Sequence, residues 1–286
     1  MAVRRTLRAG SQTYELGARP WLMGVVNANA DSFSGAGGDV DGADIVDVGG
    51  ESAITGRPAE DPATEIARVV PVIERFAAAG GPLISVDTYK PAVAEAAVAA
   101  GARIVNDVSG LRDPALADVC ARTGAALVVM HTRAAPKVRM QDPGAYDDVV
   151  ADVAGFLRER MAVALDHGVG EEQIVLDPGP DFAKTPAQTI AVLRRLDALH
   201  ELGRPLLLAI SRKDFIGALT RRSPRQRGAG TLAALAHGAD AGGHIFRVHD
   251  VAGAADFLKV RAALRGEHDV PADLALPDDL RHEPPA

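Results

Sequence analysis

The sequence predicts a single α/β domain built as a closed (β/α)8 barrel of the TIM type, and three observations carry that expectation. Apolar runs of strand length recur eight times, at 21–27, 43–48, 82–87, 102–106, 126–131, 173–177, 205–211 and 243–249. Short continuous hydrophobic stretches of this kind read as parallel strands buried on both faces. Helical patterns lie between most of them, the alternation expected of a parallel sheet with crossover helices. Six runs end on hydrogen-bonding or charged residues: Asn27, Asp87, Asn106, Asp177, Lys213 and the Arg247–His249 pair. In a closed barrel the C-terminal strand ends converge on one face, where active sites lie. An open doubly wound sheet is the competitor. No Gly-x-Gly-x-x-Gly or Walker-type loop follows any strand, which weakens a nucleotide-binding reading.

Taken in order, residues 1–20 read as a lead-in, basic at first but with no apolar stretch that would make a secretory signal. The first strand is WLMGVVN and the second lies in ADIVDV. Between Asn27 and Ala43 stand only 15 residues, with glycine at 35, 37, 38 and 42 and no amphipathic repeat. Fifteen extended residues span up to ~50 Å, so the connection is feasible, although a parallel crossover usually carries a helix. The first outer helix is therefore expected to be missing, or omitted from the sequence, which would leave the outer faces of the first two strands without their usual cover.

The later elements are regular. ATEIARVVPVIERFAAAG has i, i+3, i+4 apolar spacing and stops at Gly80-Gly81. KPAVAEAAVAAG opens on a proline near N1 and ends at Gly101, and DPALADVCARTG ends at Gly124. DDVVADVAGFLRERMAVALDHG closes on Gly168, and TPAQTIAVLRRLDALHELG runs from a Thr-Pro cap to Gly203. RGAGTLAALAHGADAGG precedes the last strand and AGAADFLKVRAALRG follows it, so the barrel domain is 21–266. Residues 267–286, rich in Pro, Asp, Glu and His, are expected to be a disordered tail.

Composition narrows the function. At 286 residues there is ample chain for a buried core. No apolar run approaches the ~20 residues a membrane helix needs, and the one cysteine, Cys120, excludes an internal disulfide framework or a Cys-rich zinc site. A net charge of −7 argues against a nucleic-acid partner; the Arg221-Arg222 and Arg225/Arg227 clusters read as a solvated loop and helix start. A cytoplasmic protein is the default.

The strand ends go further. MGVVNANADSFS, DIVDVGGES, ISVDTYK, IVNDVSGL, VVMHTR, IVLDPGPDFAKT, LAISRKDFIG, GTLAA and FRVHDV occur in that order from about 21 to 251. Each is weak alone; as an ordered set they resemble the motifs of the dihydropteroate synthase family. The resemblance implies condensation of 6-hydroxymethyl-7,8-dihydropterin pyrophosphate with p-aminobenzoate to 7,8-dihydropteroate and pyrophosphate, by a transferase of folate biosynthesis. It assigns Asp87, Asn106, Met130, Asp177 and Lys213 to the pterin, with Lys213, Asp177 and Asp87 central to catalysis. It assigns Asn27, Arg247 and His249 to the diphosphate, Asn27 also to a bound Mg²⁺, and Phe182 and Lys213 to the p-aminobenzoate pocket. A homodimer is implied as well.

Simple chemistry agrees with these roles. An aminopyrimidinone edge needs fixed carboxylates and an amide. Arg247 and His249 lie on one face of a strand by its period of two, where both reach one anion. Blander readings stand beside them: a helix cap for Asp87, turn duty for Asp107, a locally bonded histidine for His249, a solvated lysine for Lys213, and plain core for Met130.

The chain departs from the family pattern in its loops. Asn29-Ala30 stand where Thr-Pro is typical, Ala53-Ile54 replace Thr-Arg, and Arg57-Pro58 comes three residues late, so Arg57 is the candidate for the missing arginine of the benzoate pocket. Pro180-Asp181 replaces Ile-Gly, and Asp214 follows Lys213. Two alternatives follow: a paralogue that binds pterin but uses another amine or does no chemistry, and a pterin-dependent methyltransferase, which the Asn27, Arg247 and His249 set argues against.

Overall fold

The structure is a computed structural model of the chain, described over residues 3–28, 40–51, 56 and 58–281. Eight parallel strands form the barrel: β3 (Trp21–Asn27), β4 (Ile45–Gly49), β5 (Leu83–Asp87), β6 (Ile104–Asp107), β7 (Ala126–Met130), β8 (Ile174–Asp177), β9 (Leu207–Leu208) and β10 (Ile245–Val248). They are hydrogen-bonded in the order β8-β7-β6-β5-β4-β3-β10-β9. A parallel bridge between Leu176 and Leu206, with the Leu176 amide 2.9 Å from the Pro205 carbonyl, joins the two ends of that series. The predicted barrel is present.

Alternation along each strand divides the core in two. Outward residues such as Leu22, Val46, Val86 and Val105 pack beneath the helices, whereas Met23, Ile45, Ile104, Val128, Val175, Leu207 and Ile245 fill the interior. The covering helices are α1 (Pro62–Ala79), α2 (Pro91–Ala100), α3 (Ala115–Thr123), α4 (Val149–Asp166), α5 (Pro186–Arg194), α6 (Asp197–His200), α7 (Asp214–Thr220), α8 (Gly228–Asp240) and α9 (Val251–Leu264). Thr185 caps α5 as its Thr-Pro sequence predicts, accepting from the Gln188 amide while Gln188 accepts from Thr185. Among the described residues, no helix is long and apolar enough to cross a membrane.

Three sequence expectations need correction. The lead-in carries an antiparallel hairpin, β1 (Arg5–Ala9) and β2 (Gln12–Leu16), turning at Gly10-Ser11. Its Leu7, Ala9 and Leu16 are buried on the interior cluster and plug the N-terminal floor of the barrel. Next, the outer faces of β3 and β4 are not bare. A side chain at Gly24 would meet Val251 of α9 at 2.9 Å and Val40 at 3.0 Å, so the last helix packs directly on β3. Val69 and Ile73 of α1 join Val46 and Val48 of β4 in one buried cluster. The expected missing helix itself falls on 29–39, outside the described residues. Finally, the segment read as one helix up to Gly203 breaks into α5 and α6, and α7 forms where no helix was expected. Residues 267–281 are exposed, with one 3₁₀ turn at Asp278–Leu280.

Candidate active site

Above the apolar floor the inward positions of the strands turn polar. Asp47 pairs in register with Ser85, Gly49 with Asp87, Asp87 with Asn106, and Met130 with Asp177. The result is a cavity of about 390 Å³ at the C-terminal end of the barrel, lined among others by Asp87, Asn106, Met130, Asp177, Phe182, Lys213 and Arg247. Seven of the residues predicted from sequence thus share one space, at the end of the barrel where such sites are expected.

Arg247 organises the floor of this cavity. Its Nε donates to Asp47 Oδ2 at 2.7 Å and its Nη2 to Asp87 Oδ2 at 2.8 Å. Asn106 Nδ2 donates to the same Asp47 oxygen at 3.0 Å. Arg247, predicted for the diphosphate, is thus bonded to Asp87, predicted for the pterin. Asp87 caps no helix, since the cap position of α2 is Lys90. Its carboxyl is pushed up to about 7, first by desolvation at the cavity wall, with Arg247 opposing and Asp47, Glu65 and Asp107 adding repulsion. Asp107 does turn duty, accepting from the amides of Ser109 at 2.7 Å and Leu111 at 2.5 Å.

Asp47 was not among the expected site residues, because it sits in mid-strand rather than at a strand end. Its signal was a lone acid inside the apolar run IVDV. It is fully buried, and its Oδ1, like Ser85 Oγ on the neighbouring strand, has no hydrogen-bond partner among the described residues. Buried orphan acceptors and donors are rare, and two on register-paired residues beside the cavity suit a polar ligand edge.

Asp177 is buried at the end of β8, and its Oδ1 accepts from the Gly179 amide at 2.7 Å. Burial raises its carboxyl to about 6, against that hydrogen bond and the charges of Lys213 and Lys184. Lys213 is not a solvated lysine. Its ammonium stands 4.3 Å from the centroid of the Phe182 ring, a cation–π contact across the cavity wall. Burial lowers its affinity for the proton, with Asp181 and Asp177 opposing.

The remaining wall comes from loops. The segment after β7 contributes Thr132 and residues 134–141. Its Lys137 pairs with Glu51 of the loop after β4 at 2.9 Å, and Lys90 binds the same Glu51. Burial resists ionisation of Glu51, yet hydrogen bonds from Lys90, Lys137, the Glu60 amide and Tyr89 hold it down at about 2. Asp181 Oδ2 accepts from the Asp214 amide at 2.5 Å and the Phe215 amide at 3.3 Å. Asp214 is exposed and paired with Arg227 at 3.0 Å. That half-buried Arg227 also donates to the Arg212 carbonyl, so it is not the solvated charge expected from its cluster.

Two predicted residues stand apart. Asn27 and His249 are exposed at the ends of their strands and outside this lining. His249 bonds through Nδ1 to Ser211 Oγ at 3.0 Å, while its amide donates to the same oxygen at 3.2 Å. Arg57, and the loop positions Asp31, Ser32, Phe33, Ala53 and Ile54, lie outside the described residues.

Comparison with known proteins follows this geometry closely. Residues 23–249 match the family described as pterin binding enzyme. The dihydropteroate synthase of Bacillus subtilis is 40% identical over 258 residues, covering 85% of this chain and 88% of that protein. The solved structure of Xanthomonas albilineans dihydropteroate synthase with 4-aminobenzoic acid superposes with a TM-score of 0.82 at 40% identity, over 94% of this chain and all of that one. That of Burkholderia cenocepacia dihydropteroate synthase complexed with 7,8-dihydropteroate gives a TM-score of 0.83 at 37% identity, over 92% and 97%. With its strand-end acids, amide, lysine and guanidinium gathered on one barrel face, the chain belongs to the dihydropteroate synthase family of pterin-binding enzymes.

Proposed function

We propose that this chain condenses 6-hydroxymethyl-7,8-dihydropterin pyrophosphate with p-aminobenzoate, giving 7,8-dihydropteroate and pyrophosphate, as a transferase of the pterin-methyl group in folate biosynthesis. One observation carries the reading: Asp87, Asn106, Asp177 and Lys213 line a single cavity whose floor is held by Arg247. Acids and an amide suit the donor-rich aminopyrimidinone edge, and Met130 supplies an apolar wall. Lys213, packed on Phe182 at the cavity wall, is the residue this reading puts between the pterin and the amine.

In this chemistry the C–O bond to diphosphate breaks with its electron pair, leaving a pterin methylene cation. The amine nitrogen adds to that carbon and then loses a proton. The chain's part is to position the two reactants and to stabilise the departing anion. Arg247, fixed by Asp47 and Asp87, supplies a cation for the diphosphate, and Asn27 and His249 at the ends of their strands are the further groups for it. Mg²⁺, the expected ion, usually keeps several waters and is held by one or two carboxylates together with substrate phosphates. Exposed Asn27 would offer the ion a neutral side-chain oxygen, and the ion would neutralise diphosphate charge. A cytoplasmic homodimer is part of the same reading.

The test is pyrophosphate release and pteroate formation from the two substrates with the purified chain. Pterin binding without product at any p-aminobenzoate concentration would refute it. Asp181 and Asp214, both lining the cavity beside Lys213 and Phe182, favour a second reading: a related transferase that takes an amine other than a benzoate. Product formed with an uncharged arylamine in preference to p-aminobenzoate would support that alternative.

A further inference from the structure

Behind the cavity wall, and not lining it, a buried lysine and histidine lead outward to a half-buried carboxylate. Lys184 is fully buried. Its Nζ lies 2.7 Å from His131 Nδ1, 2.9 Å from the Gly179 carbonyl and 3.0 Å from the Phe182 carbonyl. An ammonium has three N–H donors and no acceptor, so these three neighbours use it completely. While Lys184 holds its third proton, His131 Nδ1 is therefore the acceptor, and its Nε2 carries the proton toward Asp152 Oδ1 at 3.1 Å. Asp152, on α4, also pairs with Arg133. The rings of Phe156 and Tyr146 pack around the imidazole at 4.9 and 6.1 Å. Burial, together with Lys184 and Arg133, holds His131 down at about 3 against Asp152, which keeps it neutral. Burial also pulls Lys184 down to about 7, and Asp177 and Asp152 oppose it.

The segment that this lysine grips is under strain. Asp181 (φ 65°) and Ala183 (φ 51°) hold left-handed backbone without being glycine, a conformation that L side chains rarely adopt. At Gly179 (φ 63°) an added Cβ would lie 2.1 Å from the His131 carbonyl oxygen, so the loop is pressed onto the end of β7. The same segment carries Phe182 into the cavity, and its Gly179 amide holds the carboxylate of Asp177. Strained backbone persists only where its surroundings over-determine it, and the three bonds from Lys184 do that here.

We propose that Lys184, His131 and Asp152 are positioning residues, which clamp the 178–183 segment to β7 and α4 and so set the placement of Phe182 and Asp177 for the two substrates. The kinetic arm rests on the dihydropteroate synthase reading; the other arms do not.

The test compares three variants of the full chain with the parent. His131→Gln keeps one acceptor for Lys184 and one donor for Asp152, and both constants should stay within about threefold of the parent. His131→Leu and Lys184→Met remove those bonds. A misplacement of about 1 Å costs on the order of 100-fold, so in a variant that still melts cooperatively kcat should fall at least about tenfold, with KM for p-aminobenzoate raised. Amide exchange at 179–183 should speed up in these two and not in His131→Gln. A folded His131→Leu protein with unchanged exchange and kinetics within twofold overturns the proposal. Should both deletions fail to fold, the parent decides: nitrogen-15 NMR should show His131 with a protonated Nε2 and a bare Nδ1 from pH 5 to 6, where Lys184 keeps its third proton. An Nδ1–H tautomer or an imidazolium in that range overturns the clamp. A parent without synthase activity refutes the functional reading, while the exchange and tautomer results still judge the clamp.

Discussion

The two halves of the cavity are built on different principles. On the strand side, Asp47, Asp87, Asn106 and Asp177 sit at inward register positions of a hydrogen-bonded barrel, and Arg247 ties two of the acids together. On the loop side, the wall consists of side chains held by ion pairs between loops, such as Lys137 to Glu51 and Arg227 to Asp214. Strand positions are fixed by the backbone ladder, so their polar groups can be kept partly unsatisfied and ready for a ligand. Loop positions need internal partners to be held at all. This is why the chain can diverge at Asp181 and Asp214 while the strand set stays intact: one half is constrained by the barrel, the other by its own local pairings.

If that division is sound, strand changes should act on the pterin and loop changes on the second substrate. The largest effect is expected for Lys213→Ala, which borders both halves. Turnover should drop by at least about a thousandfold, the scale seen when a group that stabilises developing charge is removed. Rates within tenfold of the parent would remove Lys213 from the chemistry. Arg247→Lys follows. Loss of the planar fork that spans Asp47 and Asp87 should raise KM for the pterin diphosphate by about 30- to 100-fold, with KM for p-aminobenzoate nearly unchanged. A comparable rise in both constants would break the division between halves.

Asp177→Asn sharpens the comparison through stability. Burial lifts this carboxyl from 3.8 to about 6, a difference worth about 3 kcal/mol once the group is ionised. The sign follows from proton binding: between those two values the folded chain holds the proton that the unfolded chain has released. Stability therefore falls as pH rises through that window and is flat above it. The variant should melt at the same temperature as the parent near pH 4, melt several degrees higher at pH 8, and bind pterin far more weakly. Equal melting temperatures at pH 8 would show that the buried carboxyl carries no such cost. The smallest effect is expected for Asp214→Ser. Its carboxylate is exposed and paired, so KM for p-aminobenzoate should fall only about two- to fivefold, on the scale of a surface charge. A large change in pterin affinity would contradict the division.

Much of this was legible in the sequence, for reasons that also explain what was not. Uninterrupted apolar runs signal buried parallel strands directly, so all eight were found, and a strand end is an easy place to notice Asp87, Asn106 or Asp177. Asp47 is hard to read because inward and outward positions alternate inside a strand that is apolar on both faces; a single acid there does not announce its side. Lys184 and His131 were unreadable for a similar reason. Their partners are backbone carbonyls and a carboxylate 21 residues or more away from His131, and nothing in FAKT distinguishes a buried ammonium from a solvated one. The hairpin was hidden because RTLRA and QTYEL show polar faces along most of their length. Cover for β3 came from the other end of the chain, a closure that no local pattern records.

That hairpin has a consequence for how the molecule is assembled in time. Its strands precede every barrel strand in the chain, yet the seat they occupy includes Ile245 of the final one. His244 Nε2 donates to the Val3 carbonyl across 241 positions of sequence. Contacts so distant in the chain close late, because the intervening loop must first be ordered. The seat of the hairpin is therefore complete only once the last strand is in place.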